Sequence, residues 1–194
     1  DMQINVVNSI NNPPVVNIPM DTCIEANSLL SEVITATDPD GNQLNLTAIP
    51  STNFSVSNPQ NTPASGNFSW QTTCSDIREQ SYFFVFKAED ILTQIALTDY
   101  KTWTVKVKGP APTGLTTTPT GNSITLSWNA YPCLNAEKME IYRVSCDSVA
   151  YSQKACETGL QGFTGYSKIG EVPIGTTNFI DNNGTGLKRG TNYC

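Results

Sequence analysis

The sequence contains no histidine, and this absence excludes several kinds of chemistry at once. Histidine is the commonest general base, a member of the serine and cysteine triads and a frequent zinc ligand. Charge is scarce as well, because Asp, Glu, Lys and Arg make up 14% of the 194 residues, where about a quarter is usual. The composition therefore argues against an enzyme, and we expect none.

Basic residues and long apolar runs are also lacking. There are 11 Lys and Arg against 17 Asp and Glu, and the net charge is −6. Nucleic-acid binding depends on clustered basic residues, so we expect no nucleic-acid partner. No stretch approaches the roughly 18 apolar residues of a membrane span, and the first residues do not read as a signal peptide. We expect no direct membrane insertion and any export signal to lie outside these residues.

Two proline-rich joints organise what is present. A strand-like alternation from Met2 to Val7 precedes Asn12-Pro13-Pro14, and a second from Lys101 to Lys108 precedes Gly109-Pro110-Ala111-Pro112. Each pattern is typical of a last strand that leads into a semi-rigid spacer. The sequence predicts that residues 1–12 are the last strand of a preceding module, that 13–109 form one domain and that 110–194 form another.

Short runs with period-2 alternation predict an all-β fold built of antiparallel β-sandwiches. In the first domain the apolar members of these runs are Leu44, Leu46 and Ala48; Phe68 and Trp70; Tyr82, Phe84, Phe86 and Ala88; and Trp103, Val105 and Val107. Asp38-Pro39-Asp40-Gly41 has the residues of a tight turn. No stretch has the periodicity of a helix.

The second domain shows the same alternation and a more specific signal near its end. Ile124, Leu126 and Trp128 alternate with polar residues, and Leu187-x-x-Gly190-x-x-Tyr193 is typical of a tyrosine corner, in which the hydroxyl bonds back to the preceding backbone. The sequence ends one residue later. We therefore expect both ends to be cut from a longer polypeptide and the second domain to be incomplete at its C-terminus.

Six cysteines without a Cys-x-x-Cys pair favour disulfides over a zinc ribbon, and hence an oxidising compartment, with a secreted, periplasmic or cell-surface location. Six cysteines allow 15 connectivities. Pairing within each predicted domain favours a bond of Cys23 with Cys74, of Cys146 with Cys156 across a local loop, and of Cys133 with Cys194.

Calcium is the sharpest chemical hypothesis. Asp38, Asp40 and Asn42 place oxygen donors at alternate positions, and Asp90 and Glu25 could close on them near the linker. The spacing is not that of an EF-hand loop. The alternative is that Asp38-Pro39-Asp40-Gly41 is simply a stable turn.

A ligand face is the second candidate site. Tyr151, Phe163 and Tyr166 lie in a long insertion between Val144 and Ile169, where a face for sugar or protein could form. Ordinary core or loop packing is the alternative. The carboxylates Glu137, Glu140, Glu157 and Glu171 have no catalytic partner in the sequence and are expected to be solvated.

Several segments of the chain resemble known families. Thr37 to Leu44, Gly66 to Trp70 and Tyr82 to Asp90 resemble the cadherin-like or Ig-like repeats of large bacterial surface proteins. Ser123 to Trp128 with Gly190 to Tyr193 is similar to a fibronectin type III module. The order of Cys74-Ser75-Asp76-Ile77-Arg78, Lys101-Thr102-Trp103 and Cys156-Glu157-Thr158-Gly159 resembles gliding-motility-associated adhesins exported by type IX secretion.

The resemblance implies two Ig-like β-sandwiches in tandem, a cadherin-like/Ig-like one followed by a fibronectin type III-like one. It also implies a repetitive extracellular filament rather than a catalyst. Its turn usually reads Asp-Pro-Asp-Gly-Asp, whereas position 42 is Asn here, which removes one carboxylate from any carried-over cation site. Asp147-Ser148-Val149 resembles the O-glycosylation sequence of such bacteria, with Ser148 as acceptor.

We therefore expect a non-catalytic segment of a cell-surface adhesin or filament that gives length and stiffness and serves surface adhesion or gliding motility. Its partners would be neighbouring modules of the same chain and a surface polysaccharide or protein ligand. The alternative is a carbohydrate-binding or spacer module of a secreted hydrolase, with the aromatic insertion as its binding face.

Overall fold

β-Strands form the regular structure of the protein, seen in a computed structural model that describes residues 11–58, 61–91, 95–146, 156, 159–160 and 165–194. The chain divides into two compact units. The first contains the described residues up to Ile24, then Ser28–Thr72 and Arg78–Val107; the second contains Glu25–Asn27, Thr73–Ile77 and Lys108–Cys194. The strand predicted within residues 1–12 lies almost wholly outside the described residues.

The first unit is a sandwich of two four-stranded sheets. One sheet has the order β1-β3-β6-β5 and the other β2-β8-β7-β4. A 3-10 turn at Cys74–Asp76 follows β6. The strands are β1 (Val15–Asn17), β2 (Thr22–Glu25), β3 (Leu29–Thr37), β4 (Leu44–Ile49), β5 (Phe54–Asn58), β6 (Ala64–Gln71), β7 (Tyr82–Asp90) and β8 (Thr98–Lys108).

Alternating residues of these strands build the core, as predicted. Phe68, Phe86 and Trp103 are fully buried, because successive side chains of a strand point to opposite faces. The ring of Phe68 meets that of Phe84 edge to face at 4.6 Å and that of Trp103 at 5.2 Å. The Trp103 indole N–H donates to the Met20 carbonyl at 2.9 Å, so the largest core side chain has its polar atom satisfied.

The second unit has a three-stranded sheet of order β13-β10-β9 and a two-stranded sheet of β11 and β12. Beyond β11, the Val144 amide donates to the Cys194 carbonyl at 2.8 Å and the Cys194 amide donates to the Val144 carbonyl at 2.9 Å. The last residues therefore pair beside the continuation of β11. The strands are β9 (Thr116–Thr120), β10 (Ser123–Ser127), β11 (Lys138–Arg143), β12 (Ser167–Pro173) and β13 (Asn178–Asp181).

The predicted all-β architecture is confirmed, but sequence alternation missed some strands. β9 is exposed along its whole length and contains Pro119, so no apolar stripe marks it. Its position at the edge of its sheet explains this, since proline is tolerated only where one side of a strand makes no ladder bonds. β12 begins at Ser167, inside the segment predicted to be an insertion.

No helix within the described ranges has both the length and the apolar character needed to cross a membrane.

Candidate functional site

The turn after β3 presents a buried carboxylate. The Gly41 amide donates to the Asp38 carbonyl at 3.2 Å, and Gly41 adopts a φ of +77°, which glycine accommodates without strain. The Asp38 side chain points back into the turn, where its Oδ1 accepts the backbone N–H of Asp40 at 2.9 Å and that of Asn42 at 3.1 Å. The turn predicted from the sequence is therefore present, with Asp38 as its internal cap.

Asn11 links this turn to the end of β7. Its amide nitrogen donates to Asp90 Oδ2 at 2.7 Å, and its amide oxygen accepts a hydrogen bond from Asn42 Nδ2 at 2.8 Å. Asp90 Oδ1 accepts the backbone N–H of Leu97 at 2.9 Å. The structure thus brings together Asp38, Asn42 and Asp90 of the predicted calcium set and adds Asn11, which the sequence analysis did not include. We call these four residues the oxygen cluster.

The other two members of the predicted calcium set lie differently. Asp40 faces Asn12, whose backbone N–H and side-chain amide both donate to its carboxylate at 2.6 and 3.0 Å. Glu25 belongs to the second unit, where its carboxylate lies 3.7 Å from Lys108 Nζ. Within the described ranges, no group of three or more Asp, Glu, Cys or His side chains is arranged to hold a metal ion. A cation at the oxygen cluster would therefore need amide or main-chain oxygens as well.

The disulfide pairings predicted from the sequence are wrong, although every cysteine is in a disulfide as predicted. Cys74 is bonded to Cys133 and Cys146 to Cys194, in each case with Cα atoms 5.2 Å apart. Contrary to the prediction, Cys23 is therefore not bonded to Cys74, and Cys156 is not bonded to Cys146.

The pairing of Cys74 was predicted wrongly because the 3-10 turn that carries it belongs to the second unit. Thr73–Ile77 packs with the second unit, and the side-chain amide of Asn135 donates to the Cys74 carbonyl at 2.9 Å. Counting cysteines by stretches of sequence placed Cys74 in the first domain. The pairing of Cys146 follows from the last residues, because the Cys146 amide donates to the Asn192 carbonyl at 2.9 Å and so draws Cys194 alongside.

The tyrosine corner lies where the sequence placed it. The Tyr193 hydroxyl accepts the backbone N–H of Lys188 at 3.3 Å, and Leu187 is buried. The Arg143 guanidinium stands over the Tyr193 ring at 5.1 Å. Arg143 also donates through Nη1 to both carboxylate oxygens of Asp181 and through Nη2 to Asn183 at 2.8 Å. The corner is therefore tied to the ends of β11 and β13.

A cleft of about 420 Å³ opens beside this ion pair. It lies between β12 and β13, and no local sequence pattern indicates it, because its residues come from non-adjacent parts of the chain. Its lining includes one aromatic ring and several polar side chains, among them Phe179, Ser167, Lys168, Asp181 and Asn183. Of the predicted ligand face, Tyr166 directly precedes this lining and is half-buried, whereas Tyr151, Phe163 and the predicted acceptor Ser148 lie outside the described residues.

An ion-pair network covers the outer face of β11 and β12. Lys138 Nζ lies 2.8 Å from Glu171 Oε2, and Lys168 Nζ lies 2.6 Å from the same oxygen and 2.7 Å from Glu140 Oε1. Hydrogen bonds from Lys138 and Lys168 lower the pKa of Glu171 to about 2. Bonds to Glu140 and Glu171 raise the pKa of Lys168. Glu140 and Glu171 therefore serve as ion-pair partners of the two lysines on an exposed face of the sheet.

Comparison with known proteins gives structural likeness only. No protein-family model and no curated protein matches the chain. The R347E mutant of the SrpA adhesin from Streptococcus sanguinis is 12% identical with a TM-score of 0.41, over 64% of this chain and 89% of that one. Domains A168–A170 of titin are 13% identical with a TM-score of 0.37, over 95% and 59%. The Ig1-2 module of the Drosophila receptor tyrosine phosphatase DLAR is 9% identical with a TM-score of 0.36, over 94% of each chain.

Proposed function

We propose that the chain is a non-catalytic segment of a large, repetitive cell-surface adhesin or filament, which gives length and stiffness and serves surface adhesion or gliding motility. The observation that carries this proposal is the disulfide set. All six cysteines are bonded, and two of the bonds close stretches with sequence separations of 59 and 48 residues. Such bonds persist in oxidising surroundings outside the cell, where they limit how far a loaded chain extends.

The outer strand faces suit the same role. In the sheet of β9 and β10, hydroxyl residues lie opposite each other in three alternate cross-strand pairs, Thr120 with Ser123, Thr118 with Thr125 and Thr116 with Ser127. Cross-strand pairs of this kind stabilise a sheet modestly and leave a neutral, hydrated surface. A spacer needs such a surface, because it must remain soluble next to many copies of similar modules.

Single-molecule stretching tests the mechanical part of the proposal. The chain is pulled from both ends, first oxidised and then in the presence of a reducing agent. Opening the Cys146–Cys194 bond alone frees 48 residues, and the extension should grow by at least about 160 Å at roughly 3.3–3.6 Å per residue. Equal extension in both conditions would contradict a covalent limit on stretching.

Antibody labelling of intact cells that make the protein tests the location and the link with gliding. Fluorescent Fab fragments raised against this chain should label cells without permeabilisation, and external protease should remove the label. Label that travels along gliding cells supports a role in motility and type IX export. Label that needs permeabilisation would overturn the surface assignment.

A carbohydrate-binding module of a secreted hydrolase is the second candidate, and the cleft beside Phe179 favours it. Sugar sites combine an aromatic platform with a few polar groups, and 420 Å³ lies within the usual range of ligand pockets. A glycan array with the intact chain and with Phe179→Ala or Asn183→Ala tests it. Saturable binding that both substitutions abolish, but that Asn135→Ala retains, supports the module.

A further inference from the structure

We propose that residues 109–114, which we call the strap, are held against the second unit by Tyr131 and Asn129 and do not form a free spacer. The sequence predicts only a semi-rigid spacer at Gly109-Pro110-Ala111-Pro112. The strap would supply part of the stiffness of the filament segment, and in that respect it rests on the proposed function. The attachment itself is a property of the second unit alone.

Tyr131 holds the first end of the strap. Its hydroxyl donates to the Pro110 carbonyl at 3.0 Å. Burial raises the pKa of Tyr131 above its usual value, and the negative charge of Glu25 raises it further, so the hydroxyl keeps the proton that it donates. Proline has no backbone N–H, and its carbonyl is therefore the main-chain group through which Pro110 can be hydrogen-bonded.

Asn129 holds the other end. Its backbone N–H donates to the Thr113 carbonyl at 3.0 Å, and its side-chain amide donates to the Thr113 hydroxyl oxygen at 3.2 Å. These bonds lie just beyond Thr116 and Ser127, the last cross-strand pair of β9 and β10. Two bonds between the same two residues fix both the position and the orientation of Thr113 before β9 begins.

Two glycines show how closely the strap is approached. A Cβ at Gly109 would lie 2.6 Å from the Tyr131 hydroxyl oxygen, and a Cβ at Gly114 would lie 2.5 Å from the Asn129 side-chain nitrogen. Both distances fall well inside ordinary non-bonded contact, which is about 3.5–4.0 Å between carbon atoms. The two side chains that hold the strap are therefore the same two that need glycine at its ends.

The loop that carries Tyr131 is itself anchored. Cys133, two residues further on, is fully buried and bonded to Cys74. The side-chain amide of Asn135 donates to the Cys74 carbonyl at 2.9 Å. The 3-10 turn, this loop and the strap all belong to the second unit, whose longest stretch begins at Lys108. The strap is therefore attached to a part of the chain that a disulfide already fixes.

The attachment changes how the residues after β8 contribute to length. A free tether of six residues could span about 20 Å at roughly 3.3–3.6 Å per residue. Pro110 and Pro112 have restricted φ angles, so little backbone entropy is lost when the strap is held in place. Residues 109–114 then add no slack to the chain, as a stiff filament segment requires.

NMR relaxation of the intact, oxidised chain tests the strap directly. Ala111 and Thr113 lie within it and carry backbone amides. Their ¹⁵N order parameters should be about 0.85, the value of rigid backbone, whereas a free spacer gives values below about 0.6. Low values at both residues in the wild-type chain would overturn the proposal without any variant.

Tyr131→Phe removes the hydroxyl and keeps the ring. The order parameter of Ala111 should fall, and the Asn129 amide should exchange about fivefold faster, the change expected for one lost hydrogen bond. Tyr142→Phe is the matched control, because its hydroxyl donates to Glu140 at 2.8 Å on the exposed face of β11. The control should leave both quantities unchanged. No change in Tyr131→Phe, or an equal change in the control, would contradict the proposal.

Gly109→Ala gives a crossed test. In the wild-type chain the added methyl group meets the Tyr131 hydroxyl and should loosen the strap. In the Tyr131→Phe chain that oxygen is gone, and the ring carbon that carried it lies 3.9 Å from the added group, so the order parameters should fall little further. Additive losses would show that Tyr131 does not hold this end.

A second variant and an independent measurement keep the outcome clear. Should Tyr131→Phe fail to fold, Asn129→Ala replaces it, because it removes the side-chain bond to Thr113 and should lower the order parameter there. Labelling of intact cells reports the adhesin role separately. Surface label with a flexible segment at residues 109–114 would overturn the strap alone, and a rigid strap without surface label would overturn the proposed function alone.

Discussion

Arg143 and Asp181 form an ion pair that joins the two sheets of the second unit, with Arg143 Nη1 at 2.7 Å from Asp181 Oδ1 and 2.9 Å from Oδ2. Arg143 ends β11 and Asp181 ends β13, and their side chains are only 17% and 6% exposed. A pair so shielded from water behaves unlike a surface salt bridge. Removal of either partner leaves the other charge buried without a partner.

We predict that Arg143→Ala and Asp181→Ala each lower the free energy of unfolding of the second unit by about 3 kcal/mol. The double variant should lose less than the sum of the two, with a coupling of about 1–3 kcal/mol. Chemical denaturation of the four proteins measures the cycle. Lys138→Ala is the control, because its side chain is 45% exposed and the loss of an exposed ion pair should leave the unfolding midpoint nearly unchanged. Additive losses would show that the pair is not energetically coupled.

Tryptic mapping without reduction should show the disulfides of the structure. Cleavage after Lys and Arg places Cys74 in peptide 1–78, Cys133 in 109–138, Cys146 in 144–154 and Cys194 in 190–194. We expect 1–78 to be linked to 109–138 and 144–154 to be linked to 190–194. Mass spectrometry distinguishes this result from the sequence-based pairing, in which 109–138 would be linked to 190–194. Finding the latter link would contradict the structure.

A pair of phenylalanines tests the core. Phe68 is fully buried between Phe84 and Trp103. Phe83, which precedes Phe84 in β7, is 60% exposed. Phe68→Ala should destabilise the first unit by about 3–5 kcal/mol, since it removes buried apolar surface and leaves a cavity. Phe83→Ala should change stability by about 0.5 kcal/mol or less. If thermal unfolding shows comparable losses of stability for the two variants, the inward face of β7 is assigned incorrectly.

The ion-pair network predicts an acid-dependent contribution from Glu171. Hydrogen bonds from Lys138 and Lys168 lower its folded pKa to about 2, below the usual value of 4.5. A lowered carboxyl pKa stabilises the folded state above the unfolded value, and this contribution is lost as the pH falls from about 4.5 to about 2. NMR titration of the Glu171 side chain should show a midpoint near 2.

Removal of one lysine checks the cause of that shift. Lys168→Ala should raise the Glu171 midpoint, because one of its two hydrogen-bond donors is gone. Lys106→Ala, in β8 of the first unit, should leave the midpoint in place. High salt should raise it as well, since the pairs are exposed and screened. A midpoint indifferent to Lys168 would rule out the network as the cause.

Local sequence pattern determines much of the fold. Period-2 alternation identified Phe68, Phe84 and Trp103 as facing inward, because the direction of a side chain in a strand depends only on its position along the strand. Local sequence pattern also identified the turn at Asp38-Pro39-Asp40-Gly41. It identified Tyr193 as the residue of a tyrosine corner. It could not identify β9, whose exposed threonines carry no apolar stripe.

Only the tertiary structure decided which distant residues meet. Cys74 bonds to Cys133 because the short turn that carries it packs with the second unit, a fact that no count of cysteines within stretches of sequence contains. Asn11 joins Asp90 across 79 positions of sequence, and Arg143 joins Asp181 across 38. The sequence determined the all-β pattern and the chemistry of each side chain, since both are local. Disulfide partners, the oxygen cluster and the cleft depend on the packing of whole sheets, which brings together residues that no local pattern relates.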